Sequence, residues 1–227
     1  MFFALWLVLF SEGGPIEMLQ WLTLTLAAGV SFSLYGNFCH LNEDYFNKKY
    51  ISRFWLIMGI ALMLMILEDA GNMRHWIRFF FHYIFGGNAA KFAELIYFGL
   101  LALLPLAAVF LYGRYILFAK ITTLYLFGGF AFYGFAVIGS ALRYYWYQAA
   151  GQWLHYDVFD GSMVIVEWGS QPHYFWLMDF WIEESIEFMG ATLLAAAALH
   201  FSAEFSKTRI KTRLESRGRE SNSELAP

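Results

Sequence analysis

One cysteine, Cys39, stands in this chain of 227 residues, which excludes an internal disulfide and any metal site built from cysteines. It reads as a small packing residue. Charge is scarce as well: Asp, Glu, Lys and Arg make up 15% of the residues, where soluble domains carry about 25%. The formal net charge of -3 leaves no basic field for nucleic acid. No His-x-x-x-His, H-E-x-x-H or Glu-x-x-His spacing occurs, so the usual helical zinc and di-metal patterns are missing. No G-x-S-x-G elbow accompanies a serine, and no glycine-rich loop could cradle a phosphate. Only His200 lies well inside an apolar run, so the axial histidine pair of a buried haem is also lacking.

What the chain has is apolar surface. It is 59% hydrophobic and 21% aromatic, with a mean hydropathy of +0.49, which places it among integral membrane proteins. A span needs about 20 mostly apolar residues. Five stretches qualify, near 17–36, 54–75, 92–113, 118–142 and 176–203. The expected fold is therefore all-α, a polytopic transmembrane bundle of five spans forming one domain over residues 1–205. A basic tail over 206–227 reads as disordered. The opening "MFFALWLVLF" is too short to span and has no basic flank, so it reads as an interfacial or re-entrant segment, with a cleaved signal as the alternative. "MVIVEW" in the loop after the fourth span has the composition of a short strand.

Orientation follows from the cations. Eleven Lys and Arg fall on one side of the bundle (Lys48, Lys49, Arg53, Arg114, Lys120 and the six of the tail), against Arg74, Arg78, Lys91 and Arg143 on the other. This bias implies a bacterial-type inner membrane with the N-terminus outside and the C-terminus cytoplasmic. The clusters "RYYWYQ", "HYFWLMDFW" and "RFFFHYIF" then sit at the outer boundary as an aromatic belt. The lipid bilayer is the expected partner, and the external aromatic loop is a surface on which another membrane subunit could dock.

Carboxylates gather at that outer level. A charged carboxylate at mid-membrane costs about 2.5–3.5 kcal/mol on insertion scales, so each one calls for a partner or a purpose. The last span opens "DFWIEESIEFMGATLLAAAALH", with Asp179, Glu183 and Glu187 four apart on one predicted helical stripe and Glu184 one step round. On the second span Glu68, Asn72 and His75 stand at i, i+4 and i+7, with Asp69 and Arg74 beside them. Glu17 and Glu94 open the first and third spans, where a carboxylate offsets the helix dipole. The fourth span has no acid. Eight carboxylates thus approach four cations, Arg143 among them, and a low-dielectric site relieves such an excess by raising carboxyl pKa values or by taking up cations.

Three segments also carry a resemblance. "EGGPIEMLQWLTLTLAAG" (12–29) is similar to the acidic "E-D-G-x-x-E-x-L" approach to the first helix in a group of bacterial multi-pass membrane proteins. "LEDAGNMRHW" (67–76) stands where that group carries "G-E-E-I-S-W-G-Q", and "EESIEFMGA" (183–191) is similar to its last helix. Here Glu-Asp replaces Glu-Glu, and the Ser-Trp-Gly-Gln portion is absent. The resemblance implies topology and acid placement, and no reaction.

Three functions fit these features. The first is an outward-facing acidic pocket that binds or moves a cation, a proton or an amine-bearing ligand, through Glu68, Asp69, Asn72, Arg74, His75, Asp179, Glu183, Glu184 and Glu187, with Glu17, Glu94 and Arg143 contributing. No cofactor is expected, although oxygen ligands leave room for a divalent cation. The second is a lipid-modifying enzyme at the outer leaflet, using a carboxylate and His75 as acid and base. The third is a non-catalytic accessory subunit.

Overall fold

A computed structural model of the chain describes Leu9 and residues 13–41, 47–158 and 177–224, with the side chains at 88, 90, 91, 141, 144, 145, 177, 179, 180 and 209–224 left outside the description. Within the described residues the chain forms helices and no strand. In chain order they are α1 (Pro15–Cys39), α2 (Lys48–Ala70), α3 (Met73–Phe85), α4 (Gly87–Tyr112), α5 (Lys120–Ala141), α6 (Arg143–Trp153) and α7 (Glu184–Glu224). A single π-helical turn, Leu177–Glu183, leads into α7, and another, Leu154–Val158, follows α6. The opening apolar segment, apart from Leu9, and the "MVIVEW" stretch lie outside the described residues.

Five helical segments are long and apolar enough to cross a membrane: Pro15–Cys39, Lys48–Ala70, Phe92–Tyr115, Lys120–Ser140 and Trp181–Thr208. Three agree closely with the expected spans, and the last begins and ends five residues later than expected, at Trp181 and Thr208. The second begins and ends about five residues earlier than its sequence pattern suggests. The cause is local: Asn72 takes a left-handed conformation (φ 47°, ψ 39°) and ends the run that hydropathy alone would carry on to His75. The backbone of α7 remains helical through the basic segment as far as Glu224.

The bundle is an arc. α1 is its centre, with α2 on one side and α7 on the other; α4 packs outside α2, and α5 outside α7. The buried stripe of α1 recurs every three or four residues, through Glu17, Gln20, Leu24, Ala27, Ala28, Ser31, Leu34 and Phe38. It meets Phe54, Trp55, Met58 and Leu62 of α2 and the alanine face of α7. Near the end of the bundle opposite the acids Trp55 and Phe38 pack on Phe201, with ring centroids 5.1 and 6.2 Å apart. Small residues allow the closest crossings. A Cβ on Gly129 would lie 2.7 Å from Leu194, and one on Gly190 would lie 2.7 Å from the Tyr133 ring, so α5 and α7 approach at these two positions.

α4 and α5, joined through 113–119, make only sparse contact with each other. The arc is therefore open between them. Large apolar side chains cover the outside, such as Phe110 at 83% exposure and Leu124 at 69%, which water would not tolerate but lipid does.

α3 is a correction to the sequence reading, in which residues 76–91 are a connection. It is an amphipathic helix with no buried residue. Arg74, Arg78 and His82 repeat at four-residue spacing on it, while Trp76, Phe79, Phe80 and Tyr83 are exposed. That pattern suits a helix lying in the membrane interface.

Candidate functional site

The first turns of α1, the last turn of α2, the start of α7 and the far end of α5 meet at one end of the bundle. Gln20, only 1% exposed, is the hub there. Its Nε2 donates to Asp69 Oδ2 at 2.9 Å and to Glu187 Oε2 at 3.0 Å, tying α1 to α2 and α7 at once. Trp21 Nε1 adds a second donor to Asp69 Oδ2 at 2.9 Å. These bonds set the amide orientation, because a flipped Gln20 would point its oxygen at two carboxylates. The Gln20 Oε1 that faces away makes no hydrogen bond. The Tyr133 hydroxyl of α5 is next to this amide, yet it also lacks a bond of normal geometry.

A second cluster lies beside the first. Arg74 Nη1 donates to Glu183 Oε1 and to Ser140 Oγ, each at 3.1 Å, and the Tyr147 hydroxyl donates to Glu183 Oε2 at 2.5 Å. Glu183 is 4% exposed, so both of its oxygens are held by donors in a nearly dry place. Further round, Arg143 Nη2 donates to Glu94 Oε1 at 3.1 Å, with both residues buried.

Among the residues proposed from sequence, Asp69, Glu187, Glu183, Arg74, Glu94 and Arg143 thus fall into bonded groups. Glu68 lines the same cavity as Asp69, Arg74 and Glu187 and feels the charge of Arg74. Glu184 is close enough to Glu187, Asp69 and Glu17 to be repelled by them, and its Oε2 is buried without a partner. Glu17 is buried and accepts from the Gly13 amide, at the start of α1. The side chain of Asp179 is outside the described residues.

One expected stripe is interrupted. Asn72 interrupts the helix between Glu68 and His75, so their spacing no longer sets them on one face. Asn72 instead takes the turn position that precedes α3. The run from Leu177 to Glu183 is wound as a π-turn, and the α-helix that carries Glu187 begins at Glu184. Glu183 and Glu187 serve different partners, Arg74 and Gln20.

His75 lies on α3, outside the spans. Partial burial above all, then the charges of Arg74, Arg78 and Arg143, lowers its pKa from 6.5 to about 4, so it is neutral at neutral pH. It is not among the residues that line the cavity.

The cavity encloses about 480 Å³. Gln20, Glu68, Asp69, Arg74, Tyr133 and Glu187 form its polar end; the remainder, between α4 and α5, is almost wholly apolar. Among the described residues, no group of three or more His, Cys, Asp and Glu side chains is arranged to hold a metal ion.

Gln20, Tyr133, Ser140 and Tyr147 are the site residues that a search for charge passes over. Gln20 could have been found: it falls on the same buried stripe of α1 as Glu17 and Leu24, where an uncharged amide also needs partners. Tyr133 gives no such signal, being one aromatic among the chain's 48. No protein-family model, curated protein or solved structure matches this chain.

Proposed function

We propose that this integral membrane protein binds, or passes on, a cation, a proton or an amine-bearing ligand in an acidic pocket that opens to the outer side of a bacterial-type inner membrane. The observation that carries this reading is Gln20, a buried, cavity-lining amide that bridges Asp69 and Glu187 and whose carbonyl oxygen makes no hydrogen bond. Buried acceptors without donors are costly, and a ligand that brings N–H groups or positive charge relieves that cost. Of the cations nearby, Arg74 is already engaged by Glu183 and Arg143 by Glu94. Among the described residues, the carboxylates lining the cavity outnumber the cations that line it, Glu68, Asp69 and Glu187 against Arg74.

Two arginine–glutamate pairs with distinct partners account for the structural share of the acids. Glu68, Asp69 and Glu187 are the remainder, and to these three we assign ligand binding. The enzyme reading relied on His75 beside the substrate, and a position away from the cavity lining does not favour it.

The test uses the full chain in detergent. The unfolding midpoint is followed against pH and against sodium, calcium and butylammonium chloride, for the wild type and for Asp69→Asn/Glu187→Gln. A rise in midpoint with one of these cations or with protons, lost in the double variant, supports the proposal. Identical responses from the two folded proteins would overturn it.

A further inference from the structure

The cleft behind the acidic end has a shape that a small cation does not explain. Its walls are α4 and α5, which share a short connection but make little contact along their length. From Phe98 of α4 to Gly113, the residue just past its end, the lining extends about 22 Å at 1.5 Å per residue. That is most of the 30 Å thickness of a bilayer core. The volume of about 480 Å³ lies within the range of roughly 300–1,000 Å³ usual for ligand sites. Near Gly134 of α5, a lining residue, a Cβ would meet no atom within 4 Å. The space is real, narrow and apolar, with every polar lining group but one threonine, Thr123, drawn to the end that holds Gln20.

We propose that the cleft between α4 and α5 receives the hydrocarbon chain of a long-chain amine, admitted sideways from the bilayer, with its ammonium head at Gln20, Asp69 and Glu187. This rests on the acidic-pocket reading above and assigns its ligand class.

Charge complementarity selects the head. Glu68, Asp69 and Glu187 line the cavity, and Arg74, the one cation among its described lining residues, is bonded to Glu183. Gln20 Oε1 makes no hydrogen bond, the nearby donor being the Tyr133 hydroxyl, and Glu184 Oε2 is a second buried acceptor without one in the same neighbourhood. A primary ammonium supplies three N–H donors and a positive charge. A carboxylate or phosphate head would bring negative charge against three acids. A phospholipid is thereby disfavoured even when it carries an amine, since its phosphate would have to pass the same groups. The tail follows from the lining, which offers a chain surface to bury rather than water to solvate it.

The probes are hexadecylamine, butylamine, hexadecanol and hexadecanoate, added to the detergent-solubilised full chain while the unfolding midpoint is recorded. Gly134→Trp blocks the cleft from α5, and Ala102→Trp blocks it from α4 should the first variant fold poorly. Hexadecylamine is expected to stabilise the wild type at roughly tenfold or more lower concentration than butylamine. Either tryptophan variant should lose that advantage and keep the butylamine response, whereas Glu187→Gln should lose both. Equal potency of the two amines would overturn the chain site and leave the acidic pocket standing. Equal potency of hexadecanol or hexadecanoate would overturn the ammonium assignment. No response to either amine would overturn both readings.

Discussion

Arg143 and Glu94 form an ion pair at 3.1 Å between residues that are 3% and 4% exposed, joining the start of α6 to the first turns of α4. Such a pair adds little net stability, because two charges give up their hydration to form it. Its removal by halves is another matter. Glu94→Gln takes a counter-charge from a buried guanidinium and is expected to cost stability, up to about 3–5 kcal/mol. Replacing both, as Arg143→Met/Glu94→Leu, should recover most of that loss. Chemical unfolding in detergent checks both variants, and equal losses would rule out the coupling.

Glu183 and Glu187 should separate under the same substitution. Glu183 Oε1 and Oε2 are both bonded, to Arg74 and Tyr147, so Glu183→Gln breaks an ion pair and is expected to lower the unfolding midpoint clearly. Glu187 accepts one bond, from Gln20, at a place crowded with other acids. Glu187→Gln should leave the midpoint unchanged or raise it. A large loss in Glu187→Gln would make that residue structural.

The crossing of α5 and α7 predicts steric sensitivity at particular glycines. Gly190→Leu must displace the Tyr133 ring and is expected to destabilise by about 1–3 kcal/mol, the usual cost of overpacking. Gly134→Ala meets open space and should be neutral or slightly stabilising, since alanine is the better helix former. Thermal unfolding of the two variants gives the comparison.

His75 predicts a pH dependence. With its pKa lowered from 6.5 to about 4, the unfolded chain binds a proton at pH 5 that the folded chain refuses. Stability from this group is complete above pH 6.5 and falls as the pH drops toward about 4. His75→Phe should flatten the slope in that window. An NMR titration of the imidazole with a midpoint near 6.5 would contradict the expectation.

Cys39 tests the orientation. It is exposed at the end of α1 opposite the acids, the end that the distribution of Lys and Arg leads us to expect in the cytoplasm. An impermeant maleimide should leave intact cells unlabelled and react once the membrane is opened. Labelling of intact cells would reverse the topology.

Hydropathy alone sufficed for the number of spans, because the need to satisfy every backbone group in lipid makes a long apolar run a helix. It was also enough to bring the acids to one end. The boundary at Ala70 was beyond it, since Asn72 in a left-handed turn ends a helix that the apolar pattern continues through. So was α3, whose basic stripe is interleaved with aromatic residues that read equally well as a belt. The partners of the acids were least legible. Arg74 finds Glu183 across 109 positions and Gln20 finds Glu187 across 167, and contacts at such separations depend on which helices lie side by side. Composition could count an excess of carboxylates over cations at one level. Only the packing of α1 between α2 and α7, with α4 and α5 left apart, decided which acids are neutralised and which face an open cleft.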